Sequence, residues 1–210
     1  MSRLLLCLLI LCAACTAQPD DGEPATANPI VTLAQAQQVD APALAASEGG
    51  LIAVWVGSDS RGVHQDARRV TPGGLGDVVT LPLPPTHPYA QALFPGSGYT
   101  HLLWLDADES NRTQLYSALL APDLTVERGP VAVSDGLALD YAAVSDGSGG
   151  LWAAWSGGLL GELTLYVRRI DDAGRPFPVN SLIVVGRADE IGAGRLDAME
   201  AAARVAQRYR

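Results

Sequence analysis

Ser145-Asp146-Gly147-Ser148-Gly149-Gly150-Leu151-Trp152-Ala153-Ala154-Trp155 decides the reading of this chain, because the pattern it carries occurs three times. Trp55, Trp104 and Trp155 stand 49 and 51 residues apart, and each has a glycine six residues before it: Gly49, Gly98 and Gly149. Ahead of each glycine lies a segment of alternating small or apolar residues: Asp40-Ala41-Pro42-Ala43, Tyr89-Ala90-Gln91-Ala92 and Tyr141-Ala142-Ala143-Val144. Beyond the first and third tryptophans come Arg68-Arg69-Val70 and Arg168-Arg169-Ile170, then the turn chemistry of Thr71-Pro72-Gly73-Gly74 and Asp171-Asp172-Ala173-Gly174. The second copy answers with Leu115-Tyr116 and Ala121-Pro122-Asp123. A period of about 50 residues, built of strand-length segments with Gly, Pro and Asp between them, indicates propeller blades rather than helical repeats.

Each repeat divides into four strands, A to D. Strand A covers about 42–46, 90–94 and 141–145, and B about 51–56, 99–105 and 151–155. Strand C covers about 63–70, 114–120 and 163–170, and D about 77–83, 126–133 and 178–185. Strand B is apolar on both faces (Leu51, Ala53 and Trp55 against Ile52, Val54 and Val56), so it is expected between neighbouring blades, with the tryptophans as packing residues. The paired arginines place strand C nearer the rim. Gly49-Gly50 and Gly149-Gly150 are expected to supply positive-φ positions for the A–B hairpin. The fold class is therefore all-β, a propeller-like repeat of about three four-stranded antiparallel blades with a short C-terminal helix.

These passages resemble the sialidase-like and related extracellular β-propellers of bacteria (BNR-type repeats), whose blades show D-G-x-G-G-L-x-x-x-W followed by an arginine-bearing strand. The resemblance covers about residues 30 to 186 and is one of pattern. The Asp-box S-x-D-x-G-x-x-W is approached at Ser145 to Trp152, but Asp146 directly follows Ser145, and the passage sits in the A–B hairpin instead of between C and D.

The N-terminus gives an address. Arg3 precedes the apolar run Leu4 to Leu11, too short to span a bilayer, which ends in Cys12-Ala13-Ala14-Cys15. Leu11-Cys12-Ala13-Ala14-Cys15 resembles the bacterial lipobox, departing from it at Cys12, where leucine is usual. The resemblance implies that residues 1–14 are a lipoprotein signal peptide and that Cys15 becomes a lipidated first residue. The protein would then lie in the cell envelope, anchored in a membrane and facing the extracytoplasmic side. Ordinary secretory cleavage is the alternative. With Cys7 and Cys12 removed, one thiol remains, which excludes an internal disulfide or cysteine metal site. Residues 15–28 are small, acidic and Pro-bearing, and read as a flexible tether.

The domain plan is thus a signal peptide (1–14), a tether (15–28), a partial propeller (29–186) with an N-terminal strand at 29–34 and blades at about 40–88, 89–139 and 140–186, and a tail (187–210). The tail holds five arginines and seven alanines, and Leu196 to Tyr209 suits a helix with acids in the first turn and arginines near the last. Three blades are fewer than a ring ordinarily needs. Pro29 and Pro130 precede Ala41 and Ala142 by the same 12 residues, so 29–34 reads as a D strand lacking its own A, B and C. Three explanations stay open: a truncated gene, two copies pairing into a six-bladed ring, or a helix capping an open edge.

All 14 cations are arginine, and the net charge is −9 with no basic stripe, which excludes nucleic acid as a natural partner. In a propeller the B–C and D–A loops share one face. Here that face carries the candidates Asp59, Arg61, Asp106, Asp108, Glu109 and Arg112, with Glu162, Asp135, Asp140 and His87 nearby. Two arginines without a third or a Tyr/Glu pair do not make a sialidase site. Leu105 to Asn111 alternates oxygen ligands as a calcium loop does, but lacks its glycine and closing glutamate. Asn111-Arg112-Thr113 matches the glycosylation sequon, and His64, His87 and His101 lack ligand spacing. No cofactor or metal is implied. The functional expectation is a membrane-tethered propeller with a binding or scaffolding role toward a glycan or protein. The alternative is a sialidase-like glycoside hydrolase, or an inactive remnant, acting on surface glycans.

Overall fold

The computed structural model describes residues 32–35, 38–84, 87–158, 163–178 and 183–187. The chain divides into two compact units, Met1–Thr32 and Leu33–Arg210, and every strand below belongs to the second. Cys15, the leader, the tether and the helix expected at 196–209 lie outside the described residues. So does the start of the 29–34 strand; Thr32 to Gln35 carry no strand.

The described residues are all-β, in three antiparallel sheets. The first holds β1 (Gln38–Val39), β2 (Ala43–Ser47), β3 (Gly50–Asp59), β4 (Gly62–Thr71) and β5 (Gly74–Thr80). The second runs β6 (His87–Pro95), β7 (Thr100–Ala107), β8 (Thr113–Leu120), β9 (Val126–Ala132). The third runs β10 (Asp140–Ser145), β11 (Leu151–Gly157), β12 (Thr164–Ile170), β13 (Ile183–Arg187). Each sheet is a sequential meander, the A–B–C–D blade read from the repeat.

Several details differ from the sequence reading. Strand A of blade 1 is split, with β1 pairing Ser58 and Gly57 while β2 pairs Gly50 to Val54. Blade 2 shows the same irregularity as a register shift between Tyr89 and Ala92, where Ala90 has a φ of 50°. Strand D of blade 1 starts at Gly74 rather than 77, because Pro72-Gly73 closes a two-residue turn from Thr71 to Gly74. Strand D of blade 3 starts at Ile183, not 178, and runs to Arg187. Of each glycine pair, only the first has positive φ: 74° at Gly49 and 96° at Gly149. The second is required for another reason. A Cβ on Gly50 would lie 2.1 Å from the Val70 carbonyl oxygen, and one on Gly150 2.5 Å from that of Ile170, so strand C approaches too closely for a side chain.

Strand B is buried on both faces, as its composition required: Ile52, Ala53, Val54, Trp55 and Val56 are all inside. Blade 1 meets blade 2 through Ile52, Val54 and Ala67 against Leu102, Trp104, Ala118 and Leu120. Blade 2 meets blade 3 through Leu103, Leu105 and Leu115 against Leu151, Ala153, Trp155 and Ile170. Trp104 and Trp155 therefore face the preceding blade. Trp104 stacks on Tyr116 and Trp155 on Tyr166, at centroid separations of 5.8 and 5.6 Å. In blade 1 the residue paired with Trp55 is Asp66 instead of tyrosine.

The strand C arginines are clamps between segments rather than rim residues. Arg168, 3% exposed, donates from Nη1 to the Val133 carbonyl at the end of strand D of blade 2 (2.6 Å). Arg68 donates in the same way to Leu33 O (2.8 Å). Arg69 Nη2 reaches Glu48 O at 2.6 Å, and its Nη1 bonds to Pro122 O in the C–D turn of blade 2. His101 is buried, and its Nε2–H donates to the Gly149 carbonyl of blade 3 at 2.9 Å. The near-miss Asp-box passage is a hairpin cap: Asp146 accepts from the backbone N–H of Ser148 and Gly150 and from Arg169.

Candidate functional site

The meander places the B–C hairpins and the D–A connections at one end of all three blades. The six predicted face residues divide into two groups there. On blade 1, Asp59 and Arg61 form a fork in one tight hairpin, with Arg61 Nη2 and Nε 2.7 and 2.9 Å from Asp59 Oδ2. The Arg61 side-chain hydrogen bond, above all, holds the Asp59 carboxyl below the usual aspartate range. His64 Nε2 lies 3.3 Å from Asp66 Oδ2 and 4.0 Å from Asp59 Oδ2, and Thr80 Oγ1 donates to Asp66 at 2.7 Å.

Asp106, Asp108 and Arg112 belong to blade 2 and line a cavity of about 330 Å³. Glu109 sits exposed in the same loop and is not part of the lining. Asp106 accepts from Trp104 Nε1 at 3.3 Å and from the His87 backbone N–H at 3.0 Å. Asp108 caps its own loop: Oδ1 accepts the N–H of Ser110 and Arg112 at 2.9 Å, and Oδ2 accepts Arg112 Nε at 3.0 Å. The backbone bond from Arg112, foremost among these, keeps the Asp108 carboxyl low. The stretch that resembled a calcium loop is thus an aspartate-capped turn, with Asn111 at a φ of 58°. Both face arginines pair with their own loop carboxylates, while their side chains stay 66% and 76% exposed.

The remaining lining residues escaped the sequence reading. Trp104 and Tyr116 form one wall, with the Tyr116 hydroxyl donating to Gln114 Oε1 at 2.8 Å. Pro84 closes one side from the blade 1–2 link, and Asp135, Gly136 and Leu137 close the other from the blade 2–3 link. Asp135 was recognisable only as one acid of the face. Its carboxylate, 48% exposed, is gripped from behind by both Nη atoms of the buried Arg168 of blade 3. Asp140 is exposed and accepts the Tyr141 N–H at 2.8 Å, while Glu162 lies outside the described residues. Among the described residues no group of three or more His, Cys, Asp or Glu side chains is placed to hold a metal ion.

The arrangement offers an aromatic wall, fixed carboxylates and amide or hydroxyl groups around a space the size of one or two sugar rings. Comparison with known proteins bears on the scaffold. No family model matches the chain, and no curated protein matches it. Among solved structures it is similar to the GH43_1 enzyme from Xanthomonas citri complexed with xylotriose, at a TM-score of 0.50 and 15% identity over 74% of this chain. It is also similar to an alpha-L-arabinofuranosidase from Lactobacillus brevis, at a TM-score of 0.47 and 12% identity over 71% of the chain. The match spans 57% and 55% of those chains, a little over half their length. At such identity the likeness concerns the fold, which is propeller-like, of the type found in the first of these enzymes.

Proposed function

We propose that this chain is the propeller of an extracytoplasmic protein, tethered to a membrane through lipid on Cys15, that binds carbohydrate in the cavity at the end of blade 2. The observation that carries the reading is the cavity itself, where the partly buried Tyr116, backed by the buried Trp104, faces carboxylates already fixed by backbone and arginine donors. Sugars present apolar ring faces and outward hydroxyls, and such a site offers an aromatic surface for the first and ionised acceptors for the second. The fold likeness to a structure that holds xylotriose supports a glycan ligand over a protein one.

Glycoside hydrolysis is the second reading, favoured by the same likeness. It needs one carboxyl protonated at working pH and another ionised. Asp108, with its carboxyl kept low, suits only the ionised role. The sialidase form of this reading is weakened because Arg61 and Arg112 are already paired.

The test is a glycan array probed with the leader-free protein, beside Gly136→Trp. Gly136 lines the cavity and a Cβ there would meet nothing within 4 Å, so a large side chain can be added at the lining. Binding by the wild type that Gly136→Trp abolishes supports the proposal. No glycan bound, or binding that survives the tryptophan, overturns it. Release of nitrophenol from aryl glycosides would establish the hydrolytic reading. Metabolic labelling with an alkyne fatty acid, lost in Cys15→Ser, checks the anchor.

A further inference from the structure

Arg168 of blade 3 reaches Asp135 on the lining of the blade 2 cavity, and Arg68 is its counterpart in blade 1. Arg68 and Arg168 occupy equivalent places on strand C, and both donate Nη1 to a backbone carbonyl, of Leu33 and Val133 respectively. The bond to the backbone is therefore made in both, but Arg68 is partly exposed whereas Arg168 is buried with its Nε unbonded. The copies also differ two residues further on. After Leu33 the residue is Gln35, which is exposed, and Arg68 Nε turns to Gly76 O at 2.6 Å. After Val133 the residue is Asp135, and the Arg168 fork closes on its carboxylate. The buried Arg168 cation needs a counter-charge that the partly exposed Arg68 does not, and Asp135 supplies it while standing on the cavity lining.

Asp106, partly buried, accepts from Trp104 and His87, and Asp108 accepts three bonds within its own loop. Asp135 is gripped from one side only and stands 48% exposed on the lining. An ionised carboxylate has about four acceptor positions and no donor. Arg168 bonds one position on each oxygen, which leaves acceptor positions on a carboxylate that lines the cavity. A ligand meeting them must bring O–H or N–H groups. A carboxylate or phosphate brings only further acceptors, toward a chain of net charge −9 whose cavity arginine is committed to Asp108.

Resting on the carbohydrate reading above, we propose that Asp135 is the specificity-determining carboxylate of the cavity, held by Arg168 as a positioning residue, and that it selects neutral hydroxyl-bearing sugars over acidic ones. Asp135→Asn keeps the shape and replaces acceptor oxygen by a donor. It should weaken neutral-sugar binding at least tenfold and narrow the discrimination against acids. Arg168→Ala should weaken the same binding, and the double variant should bind no worse than Asp135→Asn alone, because both changes disable one group. Arg68→Ala removes the equivalent clamp without a carboxylate. It should lower the melting temperature and leave the affinity of the folded protein intact.

The experiment immobilises neutral oligosaccharides beside their C6-oxidised, uronic acid counterparts and measures wild type and variants by biolayer interferometry, with melting curves in parallel. Neutral preference lost in Asp135→Asn, with non-additivity at Arg168, supports the inference. Binding unchanged in Asp135→Asn, or a wild-type preference for the acid, overturns it while leaving the carbohydrate reading intact. A wild type that binds neither series overturns both.

Discussion

Trp104→Ala tests the blade architecture where it is most constrained. The indole is 2% exposed, wedged at the seam of blades 1 and 2 against Ile52, Val54, Leu102 and Leu120 and stacked on Tyr116. A buried tryptophan removes roughly 150 to 250 Å² from water, worth about 4 to 6 kcal/mol at about 25 cal/mol per Å², of which alanine retains a small part. The lost stack and the bond from Nε1 to Asp106 add to the cost, while partial collapse of the cavity offsets some of it, which leaves about 3 to 5 kcal/mol. Domains of this size are stable by about 5 to 15 kcal/mol, so the variant stays folded in dilute buffer and unfolds at much lower urea. Equilibrium urea denaturation, followed by far-UV circular dichroism, reads the difference from the midpoint and slope. Trp104→Phe separates the contributions, since it keeps most of the packing and removes only the indole donor. A loss under about 1 kcal/mol in Trp104→Ala would mean that the seam is not formed and that the strand register between blades 1 and 2 is wrong.

Three further outcomes follow from the seams. His101 is held neutral by burial, with its pKa lowered, so the unfolded chain takes up its proton first as pH falls; stability should be level above the ordinary histidine value of about 6.5 and decline below it. His101→Gln should flatten melting temperature between pH 7 and 5, and parallel curves for variant and wild type would refute the assignment. Tyr141→Phe removes the hydroxyl that lies 2.5 Å from Ala90 O and 3.0 Å from Leu103 O, and should cost about 1 to 3 kcal/mol in the same urea assay. Gly150→Ala puts a methyl 2.5 Å from Ile170 O and should destabilise by about 2 kcal/mol, whereas Gly136→Ala, in open space, should be neutral; equal effects would contradict the close approach of strand C.

The repeat was legible because its physical requirements recur at the same points in each blade. A strand buried on both sides must be apolar at every position, and Leu51 to Val56 and Leu151 to Trp155 satisfy this without ambiguity. Turn residues fixed the hairpins to within a few positions. What the sequence could not show was why each glycine is there: Gly49 and Gly50 read alike as letters, yet one answers to φ and the other to the carbonyl of Val70 on a neighbouring strand. Strand D of blade 3 was expected from 178, yet Pro178 lies in no strand and the described strand is Ile183–Arg187.

The site was half legible, and the division has a cause. Asp106, Asp108 and Arg112 could be placed together because one hairpin carries all three, so sequence proximity stands in for spatial proximity. Asp59 and Arg61 carry the same composition on the neighbouring hairpin but fold onto each other and onto His64. Charge in a loop thus does not distinguish a residue that lines a cavity from one that closes a turn. Asp135 and Arg168 are 33 residues apart on different blades, and their union is set by packing between sheets, which no local pattern encodes. The trace that existed was comparative: Arg68 and Arg168 are equivalent, and Gln35 and Asp135 follow the two clamped carbonyls at the same distance. In a repeat protein the copies constrain one another's structure. At Asp135 the departure accompanies the burial of Arg168, whose charge it neutralises, and the exposed part of the same carboxylate lines a cavity.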